Sequence, residues 1–243
     1  MSFVDNLPSI SQAEYIRKLR PLLPQDAFSP SRNTLWILLI NLAILISGWG
    51  IAHYLDQWNS YFWIGFLPIS LIMGNSVVVL LFSTHDILHS KAVKNQRLRY
   101  LVSLLALSML WMPPTLWKVV HNREHHSKTN SIKDPDRNYL ATQPNTWGKW
   151  IQHQFVPSQD VNPALLMIGM AHSWSIHTLR HLTAVVFFND GLANYPPATF
   201  QVTKRQRRTI ALEWLLFIGM HASILAYLNF SPIKLLLSYF LPI

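Results

Sequence analysis

The residues equipped for chemistry are histidines, and they fall in two short stretches. Ser83–Ser90 reads S-T-H-D-I-L-H-S and sets His85 and His89 four apart. Trp117–Asn130 reads W-K-V-V-H-N-R-E-H-H-S-K-T-N and holds His121, His125 and His126. An α-helix advances about 100° per residue, so His85 shares a face with His89 and His121 with His125, while His126 points about 100° away from His125. One turn of helix therefore offers imidazoles to two different metal ions, and neutral imidazole suits iron, zinc, copper and nickel. Random placement of 11 His in 243 residues gives on the order of half a His-x-x-x-His pair, so one pair alone carries little weight. Two pairs, one with an adjacent third His and both beside long apolar segments, point to metal ligation rather than to scattered interfacial histidines.

The elements that must position these side chains are membrane helices. Half of the residues are hydrophobic and 13% are charged. Apolar runs near the roughly 20 residues of a bilayer span make the chain an integral membrane protein. The net charge of +9 reads as Lys and Arg gathered on the cytoplasmic side, and a basic face can also dock an acidic electron carrier. No nucleic-acid-binding motif accompanies those charges, so nucleic acid is not an expected partner. The sequence contains no Cys. That excludes disulfides, thiolate-ligated haem and an iron–sulfur cluster held by this chain.

Residues 1–34 are expected to be a cytoplasmic segment without a cleavable signal peptide. In it Ser11 and Glu14 form a capping box for a short amphipathic helix carrying Ile16 and Leu19 and stopped by Pro21. Leu35 to about Tyr54 is the first span, with Asn41 as its polar interruption and His53 as an interfacial residue rather than a ligand. Trp49, Tyr54, Trp58, Tyr61 and Trp63 form an aromatic belt on the far side. Tyr61–Phe82 returns and delivers His85 and His89 to the cytoplasmic surface. The run Tyr100–Met112, closed by Pro113-Pro114, is too short to cross. It is expected to start and finish on the cytoplasmic side, which brings His121 back to His85.

Ser131–Pro163 reads as a cytoplasmic loop in which Asp134 and Asp136 flank a turn. Ala164–Phe188 reads as a helix in the interface, with His177 and His181 as a third i, i+4 pair. Thr209 to about Phe230 is the third span. Glu213 near its cytoplasmic start either faces the site or snorkels, and His221 deep within it either bonds a neighbouring helix or contacts substrate. Lys234–Ile243 opens a fourth apolar segment, too short to cross. The predicted fold is an all-α membrane bundle. It has three full spans, a partial fourth, and interfacial helices that carry the histidine clusters on the cytoplasmic side.

H-D-I-L-H, and H-N-R-E-H-H followed by T-N and Asp134-Pro135-Asp136, resemble the first two histidine boxes of the membrane fatty acid desaturase family. The 36-residue step from His85 to His121 also suits that family. The resemblance runs from about residue 35 to 243. It implies a non-haem iron site with His85, His89, His121, His125 and His126 as ligands, two irons being held where the site is complete, and with Asp86 and Asn122 fixing imidazole tautomers. It implies O2-dependent desaturation of a fatty acyl lipid, with electrons from a donor such as ferredoxin or cytochrome b5. The family's third box, usually H-x-x-H-H, has no counterpart here, and His177/His181 is the internal substitute. The domain is therefore expected to be C-terminally incomplete and inactive alone. Alternatives are a carotenoid ketolase or hydroxylase of the same superfamily, a non-catalytic remnant, and a bis-His haem protein, which needs histidines facing each other from neighbouring spans.

Overall fold

The computed structural model of the chain describes residues 12–25, 29, 33–90, 92–129, 178–179, 181–183, 185–187 and 202–243. Among these every regular element is helical. Helix α1 is Gln12–Leu19, where Glu14 and Lys18 form an i, i+4 ion pair of 3.1 Å. Pro21 turns its end into a short 3-10 helix, Arg20–Leu22. Ile16, Leu19, Leu22 and Leu23 are left exposed. Ser11 of the expected capping box lies outside the described residues.

Helix α2 is Asn33–Ala52 and α3 is Leu67–His89. Between them a 3-10 stretch, Ser60–Phe66, is capped by Asn59, whose side chain accepts the Tyr61 N–H at 3.2 Å. Pro68 sits in the first turn of α3, where its missing N–H costs nothing. Helix α4 is Gln96–Ser108, started by Asn95, which accepts from the N–H groups of Arg97 and Leu98. Helix α5, Pro114–Trp117, passes into a π-helix, Lys118–His125, and then into α6, His126–Lys128. Helix α7 is Lys204–Tyr227, opened by a reciprocal Thr203/Gln206 capping box. Helix α8, Pro232–Leu235, continues as a second π-helix, Leu236–Phe240.

Among the described residues three segments are long and apolar enough to cross a membrane: Asn33–Gln57, Ser60–His89 and Lys204–Tyr227. They are the three spans read from the sequence, with shifted ends. The second runs through His89 rather than stopping at Phe82, so His85 and His89 belong to the span helix itself. The third begins at Lys204 rather than Thr209, because the capping box starts the helix ahead of the basic cluster. Helix α4 has 13 residues, a length of about 20 Å, against the roughly 30 Å of a hydrocarbon core.

Trp36, Ile40, Ile46, Leu71, Phe82 and Leu212 face outward and are exposed, as a lipid-facing surface requires, while Leu38, Leu45, Met73, Leu80 and Ile87 are fully buried between helices. Helix α2 packs tightly on α3 at Gly48. A Cβ there would overlap the Met73 sulfur, and Met73 is itself fully buried. A second packed region joins Leu107, Met112, Leu116, Trp117, Val119 and Val120 to Ile210 of α7, with Leu182 and Val185.

The far end of the bundle is tied by polar contacts. Lys234, almost fully buried, pairs with Asp56 at 2.6 Å, and Ser231 donates to the same carboxylate at 3.0 Å. His53 donates through Nδ1 to the Tyr227 carbonyl at 2.8 Å, which fits its reading as an interfacial residue. The last apolar segment packs into the bundle. Trp49 Nε1 donates to the Ser238 carbonyl at 3.0 Å and Ser70 Oγ to the Leu237 carbonyl at 2.5 Å.

His221 uses both ring nitrogens. Nε2 donates to the Ser108 carbonyl at 2.9 Å, so Nδ1 accepts from the Tyr239 hydroxyl at 2.8 Å. Trp111 stacks on the ring at 4.1 Å with planes 9° apart, and does so from a left-handed backbone, φ 56°. Of the two roles open to His221 in the sequence, the bond to a neighbouring helix is the one formed.

The Gly48–Met73 contact is testable. Gly48→Leu forces a branched side chain into a filled helix crossing and should destabilise the bundle by about 1–3 kcal/mol. Thermal unfolding in detergent would read this as a lower midpoint than wild type, and an unchanged midpoint would contradict the packing.

Candidate metal centre

Helix α3 supplies the first pair. His85 and His89 stand one turn apart at its end, with ring centroids 4.4 Å apart. The second cluster arrives on the continuous helix 114–128. Trp117 on that helix is buried and lies 4.5 Å from the His121 ring and 6.1 Å from the His85 ring, so it forms an apolar wall against both clusters.

The helix type decides which rings meet. An i→i+4 pattern pairs His121 with His125. The segment is instead a π-helix, closed by i→i+5 bonds, and the His126 N–H donates to the His121 carbonyl. Residues five apart are thereby brought together. One ligand nitrogen from each of His85, His89, His121 and His126 lies within 4.8 Å of every other in the group. The centroid distances are 5.1 Å for His85–His121, 5.5 Å for His89–His121, 4.6 Å for His89–His126 and 4.9 Å for His121–His126. His125 stacks on His121 at 5.0 Å but is not one of the four.

The donor set fits a metal ion. Nitrogens about 2.1 Å from a common ion can stand no more than about 4.2 Å apart. A spread of up to 4.8 Å therefore closes on an ion with rotamer shifts of a few tenths of an ångström. His85 and His121 are half-buried and His89 and His126 exposed, so the cluster is reachable from one side.

Around the rings, Asp86 is exposed and its carboxylate stands 3.4 Å from His85 Nδ1, a long contact in the geometry that leaves Nε2 for a metal. Asn122 is half-buried, and its Oδ1 is buried with no hydrogen-bond partner among the described residues. Glu124 lies inside H-N-R-E-H-H but is taken up by cations, with Arg123 at 2.7 Å and Lys128 also paired. Its partial burial opposes ionisation, yet the hydrogen bonds from Lys128 and Arg123 win and hold the carboxyl below its ordinary range. Ser127 donates to the carbonyls of Arg123 and Glu124, and Thr129 to that of His125, so hydroxyls satisfy carbonyls at the end of the π turn.

His181 is fully buried, and its neighbours Leu182 and Val185 pack with Trp117, Val119 and Val120. His177, Asp134 and Asp136 lie outside the described residues.

Sequence reading missed one contributor and misassigned another. The wall residue Trp117 is four residues before His121, a spacing that was there to be used. Glu213 was offered as a site-facing or snorkelling residue, and it does neither. It is buried and accepts from Tyr100 Oη at 2.7 Å, Thr115 N–H at 3.0 Å and Thr115 Oγ1 at 2.6 Å. No local pattern marks a partner so far along the chain.

The geometry separates two histidines that an α-helix would not. In a cobalt(II) titration followed by absorbance, His126→Ala should lose the ion held by the four nitrogens, and His125→Ala should keep it. The reverse order would overturn the π-helical register.

Residues 61–243 match the family model described as "Fatty acid desaturase". No curated protein and no solved structure matches the chain.

Proposed function

The chain belongs to the fatty acid desaturase family, and from that premise we propose that it binds non-haem iron on His85, His89, His121 and His126 and oxidises an aliphatic C–H bond of an acyl lipid. The observation that carries this reading is the gathering of four imidazole nitrogens within 4.8 Å, beside the end of a helix long and apolar enough to cross a membrane. Iron bound there would supply O2 activation and hydrogen abstraction.

The chain's own residues do the positioning. The Trp117 face keeps water from one side of the cluster, while the exposed edges of His89 and His126 leave an approach from the other. Ligands at a helix end suit a substrate whose tail lies among apolar helices while its head stays near water. His125 is assigned to a second iron, which needs further donors, and buried His181 is a candidate among the described residues. Asp86 is assigned to hold the His85 tautomer. The cluster faces the cytoplasm because Arg97, Arg99, Lys204, Arg205, Arg207 and Arg208 flank the same helix ends. That basic rim suits an acidic electron donor such as ferredoxin or cytochrome b5. Residues 1–34 are assigned to the same surface, with Ile16, Leu19 and Leu22 of the α1 region in the lipid headgroups.

A second reading is a lineage member that keeps its histidines without turnover. It is favoured by the donor count, since the described four serve one ion. A carotenoid ketolase or hydroxylase is the third.

Expression in a host of simple lipid composition tests all three. Iron analysis of the purified chain should find iron, and lipid profiling should find a new unsaturated acyl species that His85→Ala removes. Iron without any product selects the non-catalytic reading, and an oxygenated carotenoid selects the third. A chain that never takes up iron ends the proposal.

A further inference from the structure

Helix α5 begins at a place that cannot cap itself. Its N-cap is Pro113, with no side-chain hydrogen bond, and Pro114 follows in the first turn. The first helical N–H groups have no partners within a helix, and a buried start needs an acceptor from elsewhere. Here the acceptor is 98 residues away in sequence: Glu213 Oε2 takes the Thr115 N–H at 3.0 Å. Its Oε1 takes the Thr115 hydroxyl at 2.6 Å and the Tyr100 hydroxyl at 2.7 Å. One carboxylate thus joins α7 to α4 and to the first turn of the helix that carries His121 and His126. Burial, and then the bond to Glu213, push the Tyr100 phenol well above its ordinary range, so it stays a donor.

Glu213 has a companion on the same buried stripe of α7, which runs Ile210, Glu213, Phe217, His221. His221 bonds the Ser108 carbonyl at the end of α4 and stacks on Trp111. The α4–α5 connection is therefore gripped on both sides of Pro113, at residues 108 and 111 by His221 and at 115 by Glu213. The helix leaving the Glu213 grip reaches Trp117 within two residues and His121 within six.

We propose that Glu213 is a positioning residue for the metal centre, fixing the start of helix 114–128 so that His121 and His126 meet His85 and His89. The loss of this buried carboxylate takes the acceptor from a helix start that has no cap of its own, so the start is free to shift. Glu213→Gln keeps the volume but gives one of the two oxygen positions to a donor. Glu213→Ala removes all three bonds.

The assignment deepens the metal reading and rests on it for its consequence, but it can be tested with and without metal. The probe for the first arm is cobalt(II), titrated into the full chain in detergent. Glu213→Ala should weaken cobalt binding about tenfold or more and alter its absorption band, with Glu213→Gln intermediate. Lys234→Met breaks the ion pair at the opposite end of the bundle and controls for general destabilisation. It should lower the unfolding midpoint without changing the cobalt spectrum. Cobalt binding by Glu213→Ala that matches wild type overturns the proposal, as does a spectrum altered equally by Lys234→Met.

The second arm uses the absence of cysteine from the sequence. Nitroxides on cysteines introduced at the exposed positions Lys94 and Lys118 report the distance between the α3–α4 connection and helix 114–128. Glu213→Ala and Glu213→Gln should displace or broaden that distance, and a wild-type distribution in both overturns the proposal. If wild type itself binds no cobalt, the metal reading fails, and Glu213 is judged on the distance alone.

Discussion

Two histidine pairs carried on separate helices can share an ion only if both helices end on the same side of the bilayer. Everything else in this bundle follows from that requirement. Helix α4 meets it by being too short to cross, at 13 residues. The chain leaves the end of α3, runs through α4, turns at Pro113-Pro114 and comes back past the α3 terminus. Had α4 been one span long, the same histidines would lie a membrane thickness apart. The polar contacts to Ser108 and Thr115 from α7 hold the connection in that folded-back state.

Much of this was legible in the sequence, and the reasons are physical. Spans were visible because lipid demands long apolar runs, and the brevity of Tyr100–Met112 was visible because bilayer thickness is fixed. His85 and His89 were readable as one face because α3 is a regular α-helix through that point. His121 and His126 were not readable in the same way. The run K-V-V-H-N-R-E-H carries no mark that its hydrogen bonds close at i→i+5, so a 100° step placed His126 away from the pair it joins.

The polar residues within the bundle divide along the same line. His53 and His221 sit where hydropathy put them, but their partners, the Tyr227 and Ser108 carbonyls, are set by packing between distant segments. Glu213 is the sharpest case. Its position at the start of a span made a charge at the interface the natural reading. The proline at the head of α5, lacking a cap of its own, gave the carboxylate a buried task instead. Lys234 is similar: almost fully enclosed, it is tolerated because Asp56 lies 2.6 Å away.

The π-helical stretch Lys118–His125 has a consequence for how this segment tolerates insertion and deletion. A ring closed at i→i+5 contains one residue more than a ring closed at i→i+4. Removing a single residue between Lys118 and Val120 would let the segment relax into ordinary α geometry while leaving both of its ends anchored. Such a deletion offsets the residue that the wider turn takes in, so the side chains downstream keep their facing, whereas the same deletion from an ordinary α-helix would swing each of them by about 100°. The length of that short stretch and the width of its turns are therefore matched, and a change in one without the other would re-aim the imidazoles that follow.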